Sequence, residues 1–306
     1  MNEIKRSDLN NLKKLKDEFK QSLDVCETTK RAYTGALDKY FNYLIEFNQD
    51  GSKAQTVIEY KHYLIDQGFK VSTVNSYIMA VKRFYSFMAE TGACENVARK
   101  VRKEHETKDF KKDSLTIEQC KAVLGSMDTE TLTGKRDYAL MMLLLNTGLR
   151  TIEVSRAQIG DIRNKGNKTV LYIQGKGHTE KDNFVVLPGV ALEALNEYFK
   201  ARDGMVKDES PLFECTGNRA TNKPLHVKSI SRIVKGIFKQ NGLVSERLTA
   251  HSTRHTACTL ALLGGASIQE VQQMARHQNI NTTLIYAHNI NRLESAPESK
   301  IASLLQ

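Results

Sequence analysis

The chain has no apolar run approaching the roughly 20 residues that a membrane-spanning helix needs. Met1–Asp8 lacks the apolar core of a secretory signal. The cysteines are Cys26, Cys94, Cys120, Cys215 and Cys258, scattered, odd in number and nowhere in a CxxC pair. That spacing argues against a disulfide framework and against a zinc knuckle, and these residues read as reduced, packing thiols. There is no internal repeat and no low-complexity tract. These absences predict a cytoplasmic protein with no membrane partner and no structural metal.

What is present is length and positive charge. The 306 residues exceed the usual size of one domain, so two domains are expected. A hydrophobic content of 40% is enough to build both cores. The formal net charge of +10 points toward nucleic acid, although charge alone does not decide the matter.

Apolar residues at three- to four-residue spacing make residues 6–102 helical. Ala32, Ala36, Tyr40, Tyr43, Leu44 and Phe47 mark one helix; Val57, Tyr60, Leu64 and Ile65 mark another. Ser72 is the expected cap of a third, running to Glu90, and a short helix through Val97 and Val101 follows. The expectation is a four-helix bundle, with an extra helix at Leu9–Leu23 before it. Residues 99–113 then turn basic and almost free of apolar groups: Arg99, Lys100, Arg102, Lys103, Lys108, Lys111 and Lys112. This stretch reads as a solvated linker and also as a strap that tracks a DNA backbone. The domain boundaries fall at 1–105, 106–113 and 114–306.

In the second domain Thr116-Ile-Glu-Gln119 is a capping box opening a helix. An apolar helix from Tyr138 to Leu145 ends at Thr147-Gly148. The period then changes to β over 169–173 and 184–187, joined by the loop 174–183. Helices resume over 190–202, 229–240, 249–263, 267–274 and 281–288. The fold class is mainly α with a small antiparallel β-sheet.

Chemistry concentrates in a few places. Arg150 leaves a buried helix end through a glycine turn, with Glu153 one turn on to orient its guanidinium. His251 and Arg254 share a helix face. His255 completes an HxxxH pair, but Ser252 stands where a zinc protease has glutamate and no third ligand is evident, so no metal is expected. Lys176, between two glycines of the β loop, can deliver a proton to a leaving oxygen, with Lys181 as rival. Two guanidiniums suit the oxygens of a phosphodiester, and Tyr286, near His277, can act as a covalent nucleophile.

In that order these residues resemble the tyrosine recombinases, the phage-integrase and Xer-like superfamily. The resemblance covers nearly the whole chain. It rests on Leu-Leu-x-Thr-Gly-Leu-Arg-x-x-Glu at 144–153, Gly-Lys-Gly at 175–177, His-x-x-Arg-His-Thr at 251–256 and Asn-Thr-Thr-x-x-Tyr-x-His at 281–288. It implies a helical-bundle core-binding domain followed by a tyrosine-recombinase catalytic domain, in a two-domain member without an arm-binding domain. Where the family often has Leu-Gly-His this chain has Ala275-Arg276-His277, and Thr253 stands where Leu is usual. Only local packing is expected to differ there.

The resemblance implies that Tyr286 attacks the scissile phosphate of double-stranded DNA, forming a 3′-phosphotyrosyl link and releasing a 5′-hydroxyl. Arg150 and Arg254 would offset developing charge, and the two guanidiniums would ease ionisation of the phenol. His251 and His277 would donate hydrogen bonds, Lys176 would protonate the leaving oxygen, and Glu153 would support the site. No cofactor is implied, because the phosphotyrosine stores the bond energy. A tetramer on two DNA sites, passing through a Holliday junction, is also implied. Ile301, Leu304 and Leu305, at helical spacing within 291–306, predict a short tail helix, expected to dock on a neighbouring subunit or on its own domain. Integration or excision of a mobile element and dimer resolution both remain open, as do a type IB topoisomerase and a DNA-binding regulator that has lost catalysis.

Overall fold

The computed structural model describes residues 9–105, 113–175, 179–202, 206–216, 223–286 and 305, with side chains from residue 13 onward. The chain forms two compact units, Met1–Asp109 and Phe110–Gln306.

The first unit contains α1 (Leu9–Ser22), α2 (Glu27–Glu46), α3 (Ala54–Asp66) and α4 (Val71–Glu90). Its core is aromatic: Phe19, Tyr40, Tyr60, Phe84 and Tyr85 are fully buried. The edge-on contacts Phe19–Phe84 and Phe41–Phe84 interlock α1, α2 and α4. Tyr40 and Tyr85 share a hydroxyl hydrogen bond of 3.0 Å, which gives the buried phenols a polar partner. The bundle's four helices thus include α1 and exclude the helix expected at 97–101. That stretch is a series of turns, Val97 to Glu95, Arg99 to Asn96 and Val101 to Ala98, with only Ala98 and Val101 buried. Nor does Ser72 cap α4; Lys70 occupies the N-cap without a side-chain cap bond, and Ser72 lies in the first turn.

The start of the basic stretch is tied to its own unit. Lys82 donates to the carbonyls of Arg99 and Val101 at 3.1 and 2.7 Å. Lys61 pairs with Glu104 at 2.6 Å, and Asn75 bonds Glu104's backbone in both directions. Residues 99–104 therefore run fixed along the bundle, while Arg99, Lys100, Arg102 and Lys103 keep their heads exposed. Lys108, Lys111 and Lys112 lie outside the described residues.

The second unit is built around α6 (Leu132–Thr147), preceded by α5 (Ile117–Gly125). Thr116 and Gln119 form the expected capping box on α5. In α6, Ala139 to Leu145 are all buried, so this helix is apolar all round, as a helix enclosed by others must be. It is packed by α8 (Gly189–Ala201) and α10 (Ala250–Leu263). Between lie α7 (Thr151–Arg156), a 3₁₀ turn at Ile159–Asp161 and an antiparallel sheet of order β1 (Ile162–Lys165), β2 (Lys168–Ile173), β3 (Asn183–Val186). Leu171 faces Ile162 on one side and Val185 on the other. α9 (Val227–Gln240) and α11 (Ile268–Ala275) complete the unit, and residues 281–286 are helical. Strand β1 was not expected, because Ile162-Arg-Asn-Lys165 carries one apolar residue. Its basic side chains instead lie over rings of the other two strands, Arg163 on Tyr172 of β2 and Lys165 on Phe184 of β3.

Among the described residues no helix is long and apolar enough to cross a membrane.

Candidate active site

The site begins where α6 ends. Gly148 takes φ +61, a left-handed cap that disfavours any side chain. A Cβ there would also meet Ala257 at 3.5 Å and Arg254 at 3.8 Å. The turn delivers Arg150 to the N-cap of α7. The buried Glu153 accepts from the Arg150 backbone N–H at 2.7 Å and from its guanidinium at 3.0 Å. Arg150 remains about a third exposed, so its fork is anchored at one end and open at the other.

Arg254 comes from α10, whose start is capped by Thr249 and Ser252. Ser252, the residue that breaks the zinc-protease pattern, thus has a helix-capping role. Arg254 is 2% exposed. Its guanidinium donates to the Gly148 carbonyl at 2.7 Å and also to the Ala275 carbonyl, bridging the ends of α6 and α11. Burial, and then the charges of Arg150 and Arg276, pull its pKa down to about 10, so it stays a cation at neutral pH.

Tyr286 is buried, in a small cluster with Cys258, Val271 and Ala275. Its ring lies 5.2 Å from that of His255 and stacks on His277 at 6.2 Å. His255 in turn meets His251 edge-on at 4.8 Å. The two histidines, the tyrosine and His277 therefore form one run of rings. The guanidiniums act on the phenol in the expected direction, but they do not set the net shift. Arg254 and Arg150 do pull the Tyr286 pKa down, but burial and the neighbouring Cys258 outweigh them, and it lies above the ordinary phenol value. The phenol of the free protein is neutral.

His277 accepts or donates a 2.9 Å hydrogen bond at Nδ1 with the Thr283 hydroxyl. Burial, followed by Arg254, Arg150 and Arg276, lowers its pKa from 6.5 to about 4. It is thus neutral at pH 7 and carries a single ring N–H, which sits on Nε2 when Nδ1 accepts from the Thr283 hydroxyl. In the DNA-free protein its imidazole proton signals should stay unshifted from pH 8 down to about 5, as followed by NMR titration; a midpoint near 6.5 would contradict this. The same depression means the unfolded chain takes up a proton the folded site refuses. Stability should therefore be lost as pH falls from 6.5 toward 4, and not above that window.

Some expected residues are not described. Lys176 lies outside the described residues, as do His288 and the tail from Asn291 except Leu305. The rival Lys181 is described: its ammonium donates to Gln158 at 2.7 Å and to both oxygens of Asp161 at 2.7 and 2.8 Å. All three donors are used, so Lys181 clamps the returning arm of the β2–β3 connection to the 3₁₀ turn. Arg156 holds the outgoing arm through the Gly175 carbonyl at 3.2 Å.

Other residues at the site were not foreseen. Arg276 holds Glu153 from a second side at 2.9 Å, so the expectation that 275–277 differ only in local packing is incomplete. His255 and Cys258 touch the tyrosine, one by its ring and the other by a hydrogen bond. A cleft of about 630 Å³ is lined by Arg150, Glu153, Gly175, Arg276, His277 and Thr282. A second, of about 520 Å³, joins Arg150 and His251 to Ser231 and Lys235 of α9. On α9, Lys228, Arg232, Lys235 and Lys239 recur at three- to four-residue spacing and are all exposed, opposite the buried Ile230, Val234 and Ile237. Among the described residues no group of three or more His, Cys, Asp or Glu is placed to hold a metal ion.

Guanidiniums and imidazoles thus gather around a buried tyrosine in the second of two helical units. The chain belongs to the phage integrase family, whose pattern matches residues 113–292. It is 30% identical over 269 residues to the tyrosine recombinase XerD of Staphylococcus epidermidis, covering 84% of this chain and 86% of that one. Over 177 residues it is 35% identical to the tyrosine recombinase XerC of Caldanaerobacter subterraneus subsp. tengcongensis, covering 57% of this chain and 46% of the relative's length. The fold resembles a XerH site-specific recombinase bound to a palindromic difH substrate, with a TM-score of 0.72 and 21% identity over 94% of this chain and 84% of that one. It also resembles a lambda integrase dimer bound to a COC′ core site, with a TM-score of 0.70 and 16% identity over 89% and 96% of the two chains. Its relatives are tyrosine recombinases, and site-specific DNA recombination fits the chain.

Proposed function

We propose that this protein cuts and rejoins double-stranded DNA at a specific site, with Tyr286 as nucleophile. The observation that carries the reading is that Arg150, His251 and His277 line two clefts sharing Arg150, with Tyr286 buried against the His277 ring and Arg254 buried against the Gly148 carbonyl at the turn before Arg150. The Tyr286 oxygen attacks the phosphorus, forming a P–O bond to the phenol, and the bond to the 5′-oxygen breaks. The phenolic proton leaves toward the His251–His255 pair, and Lys176 supplies one to the departing 5′-oxygen. Arg150 and Arg254 offset the charge that builds on the non-bridging oxygens, and His277, its Nδ1 accepting from Thr283, donates its Nε2–H. The neutral, buried phenol makes that proton transfer necessary rather than optional. An arriving phosphodiester, being anionic, opposes the repulsion among the three guanidiniums.

Residues 1–105 then serve as the core-binding domain, 106–113 as linker and 114–306 as the catalytic domain. Arg99, Lys100, Arg102 and Lys103, with the basic face of α9, supply phosphate contacts. The protein acts as a tetramer on two DNA sites through a Holliday junction, with the tail helix joining subunits. Relatives named for Xer recombination and for integration support dimer resolution and mobile-element movement alike.

The test uses nicked suicide duplexes carrying DNA that flanks the protein's own gene. A denaturing gel should show a covalent protein–DNA adduct for the wild type and none for Tyr286→Phe. A native-gel shift without any adduct would remove the catalytic reading and leave a DNA-binding protein.

A further inference from the structure

Arg276 combines three features that a surface arginine does not carry. Its backbone takes φ +55, the left-handed region that suits glycine and that other residues adopt at a cost. Its side chain is only 11% exposed and ends on the buried Glu153. Its Nε–H is buried and has no hydrogen-bond partner, a cost that packing alone does not explain. Strain, burial and an unmet donor gathered at one residue mark functional positions more often than structural ones.

The geometry gives the residue a task. Among the described residues Glu153 is the single carboxylate lining this cleft, and its two oxygens are divided. Oε1 accepts from the Arg150 guanidinium at 3.0 Å; Oε2 accepts from the Arg150 backbone at 2.7 Å and from Arg276 Nη2 at 2.9 Å. Arg276 Nη1 is fixed in turn on the Met274 carbonyl at 2.6 Å. The carboxylate therefore cannot rotate without breaking a bond to α11. The same left-handed turn also leads directly into His277, whose backbone N–H is held by the Gln272 carbonyl at 3.1 Å.

We propose that Arg276 is a positioning residue for phosphate binding: it locks Glu153 from the α11 side, and Glu153 fixes the guanidinium of Arg150. This rests on the reading of Arg150 as a ligand of the scissile phosphate. Removing the outer support of a metal-ligating residue lowers activity about 10- to 100-fold, and a loss on that scale is expected for the support of a phosphate-binding guanidinium.

Arg276→Gly is a clean probe, because glycine removes the guanidinium while suiting φ +55. The single-turnover rate of adduct formation on the nicked flanking-DNA duplex should fall by about 10- to 100-fold, with DNA affinity in the native gel within about threefold of wild type. Arg276→Lys, which keeps a charge but not the fork, should recover part of the rate. A rate for Arg276→Gly within twofold of wild type would overturn the proposal, and so would an equal loss of rate and affinity. A second readout needs no DNA. In thermal unfolding, Arg276→Gly, Glu153→Gln and the double variant should be non-additive, the double losing less than the sum. Strict additivity would overturn the Arg276–Glu153 link even if no duplex were cut. Absence of a wild-type adduct, with the coupling intact, would instead count against the recombinase reading.

Discussion

Arg254→Lys should lower the single-turnover rate of adduct formation by about 10²–10³-fold, the loss seen when one preorganised donor to a developing oxyanion is removed. The reason lies in how the side chain is spent. Its guanidinium already bridges the carbonyls of Gly148 and Ala275, joining the ends of α6 and α11, and is almost fully enclosed. A fork of five donors can hold two carbonyls and still present N–H groups to a phosphate. A lysine ammonium has three donors on one point and cannot reach both carbonyls and the substrate. DNA affinity should change far less than rate, since many phosphates contribute to binding. A lysine variant that cleaves within threefold of wild type would mean Arg254 has only a structural role. Thermal unfolding of the same variant separates the two effects.

The second large effect concerns stability. Arg202 at the end of α8 and Glu214 form a two-bond pair, Nε to Oε1 at 3.0 Å and Nη2 to Oε2 at 2.8 Å. Both residues are buried. The same segment is held by Arg202 Nη1 on the Pro211 carbonyl at 2.9 Å, and the Glu214 backbone N–H donates to Tyr198 Oη at 3.3 Å. Glu214→Ala leaves a buried guanidinium without its counter-charge, which costs about 3–5 kcal/mol. For a unit of this size that corresponds to a Tm lower by roughly 6–20 °C. Replacing both partners, Arg202→Met with Glu214→Leu, should restore most of it, because the pair's own net contribution is small once desolvation is counted. Calorimetry decides: a single variant that melts within 2 °C or so of wild type would show that water screens the pair.

Much of this molecule was legible from its sequence. α5 carries its capping box in plain letters, and α6 its unbroken apolar run. The order of arginines, histidines and tyrosine pointed to the family. What escaped was whatever depends on partners distant in sequence. β1 is a strand because β2 pairs with it and because its cations find rings, and neither fact is written in Ile162-Arg-Asn-Lys165. Residues 97–101 carry apolar spacing suited to a helix, yet Lys82 claims the carbonyls of Arg99 and Val101. The pull of the guanidiniums on the tyrosine was legible, but the burial that outweighs it was not, because guanidiniums can be counted from sequence and burial cannot. Arg276 was visible as a departure from the family's glycine, but its meaning needed Glu153, 123 positions away.

The central claim is that Tyr286 forms the covalent bond to DNA. Its most direct test is to trap the adduct on a nicked duplex, digest with nuclease and trypsin, and locate the residual nucleotide by mass spectrometry. The account predicts the added mass on the peptide His277–Arg292, at Tyr286, and no such peptide from Tyr286→Phe. A nucleotide on any other residue, or an adduct that persists in the phenylalanine variant, would contradict it.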